Sequence, residues 1–244
     1  MNRTAGLITT IAGITCFVAG FVFANFLNRS ELTELRGENE RLKTGQADSA
    51  KSAQELTLSD EEINAKLAEA EQNAANFAFQ KSLGLGLYRY GAVKQDKAII
   101  EKALPLLVRA HGLDGNDYDV IVGLGNTYYD IGYFGKDNPS FERAREFYKL
   151  ALSVRPNDIE VRTDLGLTYF LQVPPDYEAA IFEFERSLAI DPKHEKTLSF
   201  AALALKNQNM DSAKYSDVLR SVNPNSPTLK EIAAQGQAAS SNSQ

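Results

Sequence analysis

The chain has no tryptophan, two methionines, two histidines and a single cysteine in 244 residues. One cysteine, Cys16, excludes a disulfide within the chain and leaves the redox compartment open. His111 and His194 stand in the turns between helix pairs. Neither has the spacing to a second His or Cys that a metal centre needs, so no metal and no cofactor is expected. A formal charge of -6 and a pI near 5.1 deny the basic face that nucleic-acid binding requires. No serine lies in a nucleophile elbow, and the carboxylates are scattered without the apolar setting that raises a pKa. No catalytic residue is assigned. Gly84-Leu85-Gly86 and Gly123-Leu124-Gly125 follow no strand, which removes both as phosphate loops. What is left is 43% hydrophobic residues, enough for one or two domains with a core.

The apolar residues begin early. Gly6 to Leu27 is 22 residues without a charge, between Arg3 and Arg29. At about 1.5 Å per residue this run crosses a hydrocarbon core of about 30 Å, so residues 1–29 read as a single transmembrane anchor. The alternative is a signal peptide cleaved near Val22-Phe23-Ala24, against which the length of the run argues. Cys16, inside the run, reads as a small apolar membrane residue. Gly6, Gly13 and Gly20, each preceded by alanine, form a stripe for helix contact or simply reflect membrane-helix composition. The flanking cations conflict over topology. Arg29, Arg36, Arg41 and Lys43 favour a cytoplasmic remainder, whereas the short amino-terminal flank has the form of a signal anchor that exports it. Residues 30–58 read as a stalk and linker. Leu32, Leu35, Asn39 and Leu42 occupy a, d, a and d of two heptads, which is either a seam for a homodimer or one solvated helix.

Residues 59–115 read as a helix pair. Ser59 with Glu62 is a capping signal, and Ile63, Leu67, Ala70, Ala74, Phe77 and Ala78 form one apolar face. The periodicity continues through Leu83 and Leu87 to a break at Gly91, and a second helix runs from about Asp96 to Ala110. From Tyr118 a motif appears: Leu124-Gly125, Tyr128, Ala144, Tyr148, Ala151 and Pro156. It returns as Leu165-Gly166, Tyr169, Ala180, Phe184, Ser187 and Pro192. The small residue lies where two helices cross, an aromatic fills the space between turns, and the proline stops the second helix. A degenerate unit follows from Glu195 to Pro224, with Ala201-Ala202 in place of Leu-Gly. Pro227 opens a capping helix to about Gln235, and 236–244 reads as a disordered tail.

Two matches in phase resemble the tetratricopeptide repeat family, with 59–115 as a divergent first repeat whose Leu-Gly is displaced. The resemblance implies an all-α fold: a solenoid of about three helix-turn-helix repeats with a capping helix, over 116–235, behind a transmembrane helix. It also implies a non-catalytic scaffold for a protein or peptide partner. The family's groove positions fall on Asp119, Val122, Asn126, Tyr129 and Asp130, then on Glu160, Thr163, Leu167, Phe170 and Leu171. That groove would have an acidic entrance and an aromatic floor of Tyr129 and Phe170. The family's clamp for chaperone carboxylates is not matched, since its positions hold Val122, Asn126, Asp164 and Phe200. The repeats exceed the usual length of about 34 residues, with the surplus expected as loops at Ile131–Ser140 and Gln172–Tyr177. Tyr133 and Phe134 in the first loop are a second candidate surface. Asn138-Pro139 and Pro174-Pro175 read as helix starts. The anchor-plus-repeat layout is similar to bacterial envelope proteins, which implies an inner-membrane protein with periplasmic repeats. A cytochrome c maturation subunit presenting apocytochrome, or a permanent structural subunit of a membrane complex, are the alternatives.

Overall fold

The structure, a computed structural model, describes residues 58–241. The apolar run, the heptad seam and residues 242–244 lie outside the described residues. Among the described residues no helix is long and apolar enough to cross a membrane. The described residues fall into two units, divided between Glu69 and Ala70. Every described element is an α-helix.

Helix α1 spans Asp60–Gln72. Its entry is the reciprocal cap expected from Ser59 and Glu62: Ser59 N donates to Glu62 Oε2 (2.8 Å) and Glu62 N to Ser59 Oγ (3.2 Å). The helix does not continue to Phe77 and Ala78 as its apolar pattern suggests. It stops at Gln72, and Asn76 caps a new helix by accepting from Phe79 N at 3.1 Å. Buried Gln80 closes the exposed end of α1, donating to the carbonyls of Ala70 (2.7 Å) and Asn73 (2.9 Å). The expected break at Gly91 is also moved. Gly91 lies inside α2, Phe77–Lys94, which ends at Gln95 with φ of 55°. A Cβ at Gly91 would sit 2.8 Å from both Ile100 N and Ile100 Cγ1, so this glycine serves close approach rather than a turn.

Four helix pairs follow, one within the stretch read as a divergent first repeat and three within 116–235. They are α2 with α3 (Lys97–Leu113), α4 (Tyr118–Gly135) with α5 (Asn138–Val154), α6 (Ile159–Leu171) with α7 (Tyr177–Leu188), and α8 (Glu195–Asn207) with α9 (Ala213–Val222). The capping helix α10, Pro227–Ser241, runs past Gly236 into the stretch expected as a tail. Glycine spacing shows why the first pair counts. A Cβ on Gly125 would meet Tyr148 at 2.6 Å, and one on Gly166 would meet Phe184 at 2.5 Å. At Gly84 it would meet Leu107 at 2.9 Å. These glycines lie 41 residues apart, from 84 to 125 and from 125 to 166. Leu83-Gly84 is therefore the motif dipeptide in register, not a displaced one, with leucine standing in for the aromatic. Each pair is held by its crossing glycine or alanine, and buried clusters bridge successive pairs. Leu107, Ala110, Val120 and Leu124 join the first two, and Ile121, Tyr148, Val161 and Leu165 join the next. Leu167, Phe184, Leu198 and Leu219 join the last two, and Leu229 and Ile232 of α10 pack against that cluster.

The acidic balance has a structural use. Asp96, Asp117, Asp137, Asp158 and Asp176 each stand at the N-cap of α3 to α7 in turn, accepting from backbone N–H groups. Each satisfies orphan donors and the positive helix end.

Candidate binding faces

The first helices of successive pairs touch, α2 with α4, α4 with α6 and α6 with α8. They form one layer, and the expected groove positions lie on it. The structure uses most of the polar ones internally. Lys81 Nζ bonds Asp119 and the capping Asp117, each at 2.8 Å. Burial works against ionisation of both Lys81 and Asp117, but the pair overcomes it: the amine is raised and the carboxyl lowered. Asp130 is buried and accepts from Tyr88 OH at 3.0 Å, and Asn126 accepts from Tyr148 OH at 2.8 Å. Glu160 accepts from His194 Nε2 (2.9 Å) and Lys196 Nζ (3.4 Å). The expected acidic entrance is thus neutralised by bases from the neighbouring pair. Those bonds hold the repeats in register.

Thr163 and Leu167 are not groove residues. Thr163 is fully buried, within 2.9 Å of Ser187 Oγ and 2.7 Å of Thr197 Oγ1. Leu167 belongs to the core shared by the last two pairs. Sequence offsets miss this because a groove position on a short helix turns inward when the next repeat closes over it. Val122, Tyr129, Phe170 and Leu171 are half-buried. Tyr129 meets Phe141 edge-on at 6.0 Å, while Phe170 meets Tyr177 (5.4 Å) and Phe200 (5.5 Å). Both rings therefore pack between helices and keep one side open.

The expected loop around Tyr133 and Phe134 is helical. Ile131 to Gly135 are the last turn of α4, and the connection shrinks to Lys136 and Asp137, with Lys136 at φ 51°. Tyr133 is 53% exposed and its ring lies edge-on to Phe134 at 5.3 Å. Asn138-Pro139 does start a helix, but Pro174-Pro175 does not. α7 starts at Tyr177, capped by Asp176, and Val173–Pro174 is a cis peptide. Asn138 holds that loop with both ends of its amide, donating to Val173 O (2.7 Å) and accepting from Val173 N (3.0 Å).

The two most exposed large apolar side chains among the described residues, Val173 at 63% and Phe182 at 59%, are not marked out by the sequence motif. Phe182 stands off the Ala180, Phe184, Ser187 stripe of α7, and that offset is the signal that could have found it. It borders a cleft of about 440 Å³ lined by Lys149, Tyr169, Glu178 and Glu183. Glu183 is buried, paired to Arg162 NH1 and Arg186 NH1, each at 3.3 Å. Arg145 covers the Tyr169 ring at 4.5 Å.

His111 is in the last turn of α3 rather than between repeats, edge-on to Phe147 at 5.6 Å. His194 sits at the N-cap of α8, where its Nδ1 is 2.6 Å from Thr197 Oγ1. Hydroxyl, imidazole and the Glu160 carboxylate thus lie in a row, but Thr197 has no exposed surface, so this row reaches no substrate. Among the described residues no three metal-ligating side chains come together.

Residues 125–158 match the family model of the tetratricopeptide repeat. No curated protein matches the sequence significantly. The crystal structure of MamA protein is similar in fold, with a TM-score of 0.54 and 16% identity over 67% of this chain and 81% of that one. Residues 41 to the end of MamA from Desulfovibrio magneticus RS-1 match with a TM-score of 0.52 and 14% identity, over 68% of this chain and 86% of that one. At these identities the likeness is one of fold.

Proposed function

This chain is a tetratricopeptide-repeat protein, and from that premise we propose that it is a non-catalytic scaffold that holds a partner polypeptide on the layer of first helices. The carrying observation is the half-buried strip of Val122, Tyr129, Phe170 and Leu171, apolar side chains with one side packed and one side open. Partially open aromatics are the residues that most often anchor a protein partner. The neutralised acids of the same layer supply register rather than attraction. The apolar run at Gly6–Leu27 supports a membrane anchor, and the layout supports a place at the bacterial inner membrane with the repeats on the periplasmic side.

Location on the molecule is tested without truncating a packed ring. A photoreactive phenylalanine analogue is placed at Tyr129, Phe170, Tyr133 or Phe182 of the full chain. Crosslinks to one partner from positions 129 and 170 support the groove. Crosslinks confined to 133 or 182 move the binding face to the turn edge or the outer helices. Placement in the membrane has its own test: alkaline phosphatase fused at the carboxy terminus is expected to be active, and an active cytosolic reporter there would reverse the topology.

A further inference from the structure

The junctions between successive first helices follow one rule and then break it. At the first, Lys81 of α2 bonds Asp117, the cap of α4, at 2.8 Å. At the second, Tyr118 OH of α4 bonds Asp158, the cap of α6, at 2.6 Å. In both, the earlier helix donates and an aspartate at the cap accepts. At the third, the cap of α8 is His194, which makes no capping bond to its own helix, and the acid is Glu160 on the earlier helix. The polarity is reversed, and an imidazole replaces a carboxylate. Imidazole is the side chain that ordinarily changes charge between about pH 5 and 8.

We propose that His194 is a proton-operated lock between the third and fourth helix pairs, closing more firmly when the imidazole is charged. The surroundings accept both states. With neutral His194 donating from Nε2 to Glu160, the hydroxyls run in one direction: Ser187 to Thr163 (2.9 Å), Thr163 to Thr197 (2.7 Å), Thr197 to Nδ1 (2.6 Å). With imidazolium, Nδ1–H donates to Thr197 and the chain reverses, ending at the Ile159 carbonyl, 2.8 Å from Thr163 Oγ1. No buried hydroxyl is orphaned in either direction.

Charge decides between the states. Glu160 of α6 meets His194, and Lys196 of α8 bonds both Glu160 (3.4 Å) and Asp164 (2.6 Å) of α6. Glu195 on α8 is held by Asn223 of α9 at 2.8 Å, and Asp191 and Lys193 flank the turn. Helix α7 contributes only the Ser187 hydroxyl to the relay. The Glu160 carboxylate lies 2.9 Å from His194 Nε2, so a charge on the imidazole turns that hydrogen bond into an ion pair. The hydrogen bond from His194, with Lys196 behind it, holds Glu160 down at about 2 against its burial, so it stays ionised through the window.

The test is hydrogen exchange by mass spectrometry on the full chain at pH 7.5 and 5.5, corrected for intrinsic exchange rates. Opening of α8 and α9 is expected to slow at least threefold at the lower pH, with α2 and α3 unchanged. His194→Gln, which keeps an amide donor and acceptor but does not titrate, is expected to abolish that response while matching wild-type protection at pH 7.5 within twofold. Glu160→Gln is expected to abolish it too. An unchanged response in His194→Gln, or no slowing in wild type, overturns the proposal. A His194→Gln chain that is open at both pH values leaves the wild-type response and Glu160→Gln to decide.

Discussion

Gly125 and Gly112 show how little the identity of a glycine says until its neighbour is known. A Cβ at Gly125 would lie 2.6 Å from a Tyr148 ring that is itself fully buried, so neither can yield cheaply. Gly125→Ala is expected to cost about 2–3 kcal/mol by overpacking. Gly112, near the end of α3, has nothing within 4 Å of its missing Cβ, so Gly112→Ala is expected to gain about 0.5–1 kcal/mol. Urea denaturation of both variants would read opposite signs. Glu160 gives a prediction in pH. Its folded value of about 2 lies below the ordinary 4.5, so its contribution is complete above about pH 4.5 and is lost as pH falls through about 2. Allowing for solvent screening, about 1–2 kcal/mol should separate wild type from Glu160→Gln at pH 6, and most of that difference should be gone by about pH 2.

At the scale of the helix, the caps carry the argument. Asp158 accepts from Val161 N at 2.9 Å and from Tyr118 OH at 2.6 Å, so one carboxylate both opens α6 and ties it to α4. Burial and that carboxylate together raise the Tyr118 hydroxyl well above its ordinary range. Asp158→Ala is expected to cost about 2 kcal/mol in thermal denaturation, whereas Asp158→Asn keeps the cap and should recover about half of it. The same level shows where the sequence was legible. The two clear repeats were readable because the crossing glycine and its aromatic are local requirements with fixed spacing. In the first pair the dipeptide Leu83-Gly84 is less legible, because its glycine crosses a leucine, Leu107, in place of the aromatic that marks the other two. Asn76 was missed as a cap because apolar periodicity runs across it unbroken, two helices burying faces in phase. Groove positions were the least legible. Thr163 and Leu167 are turned inward by α8, which is a property of the neighbouring pair and not of their own helix.

For the whole array, each pair leans only on its neighbours, so damage at one end should stay there. Ending the chain after Asn225 removes Leu229 and Ile232 from the last cluster. Exchange in α8 and α9 is expected to quicken at least tenfold, with α2 and α3 within twofold of wild type. The even interval of the crossing glycines has a further consequence, in terms of construction. Leu124-Gly125 and Leu165-Gly166 are the same dipeptide in the same setting, so residues 125–165 form a cassette whose two ends are interchangeable. Inserting a second copy after Leu165 leaves Leu-Gly at both seams and gives each new helix a neighbour of the kind it already has. The chain is then a ruler that can be lengthened by one division without altering the marks on either side.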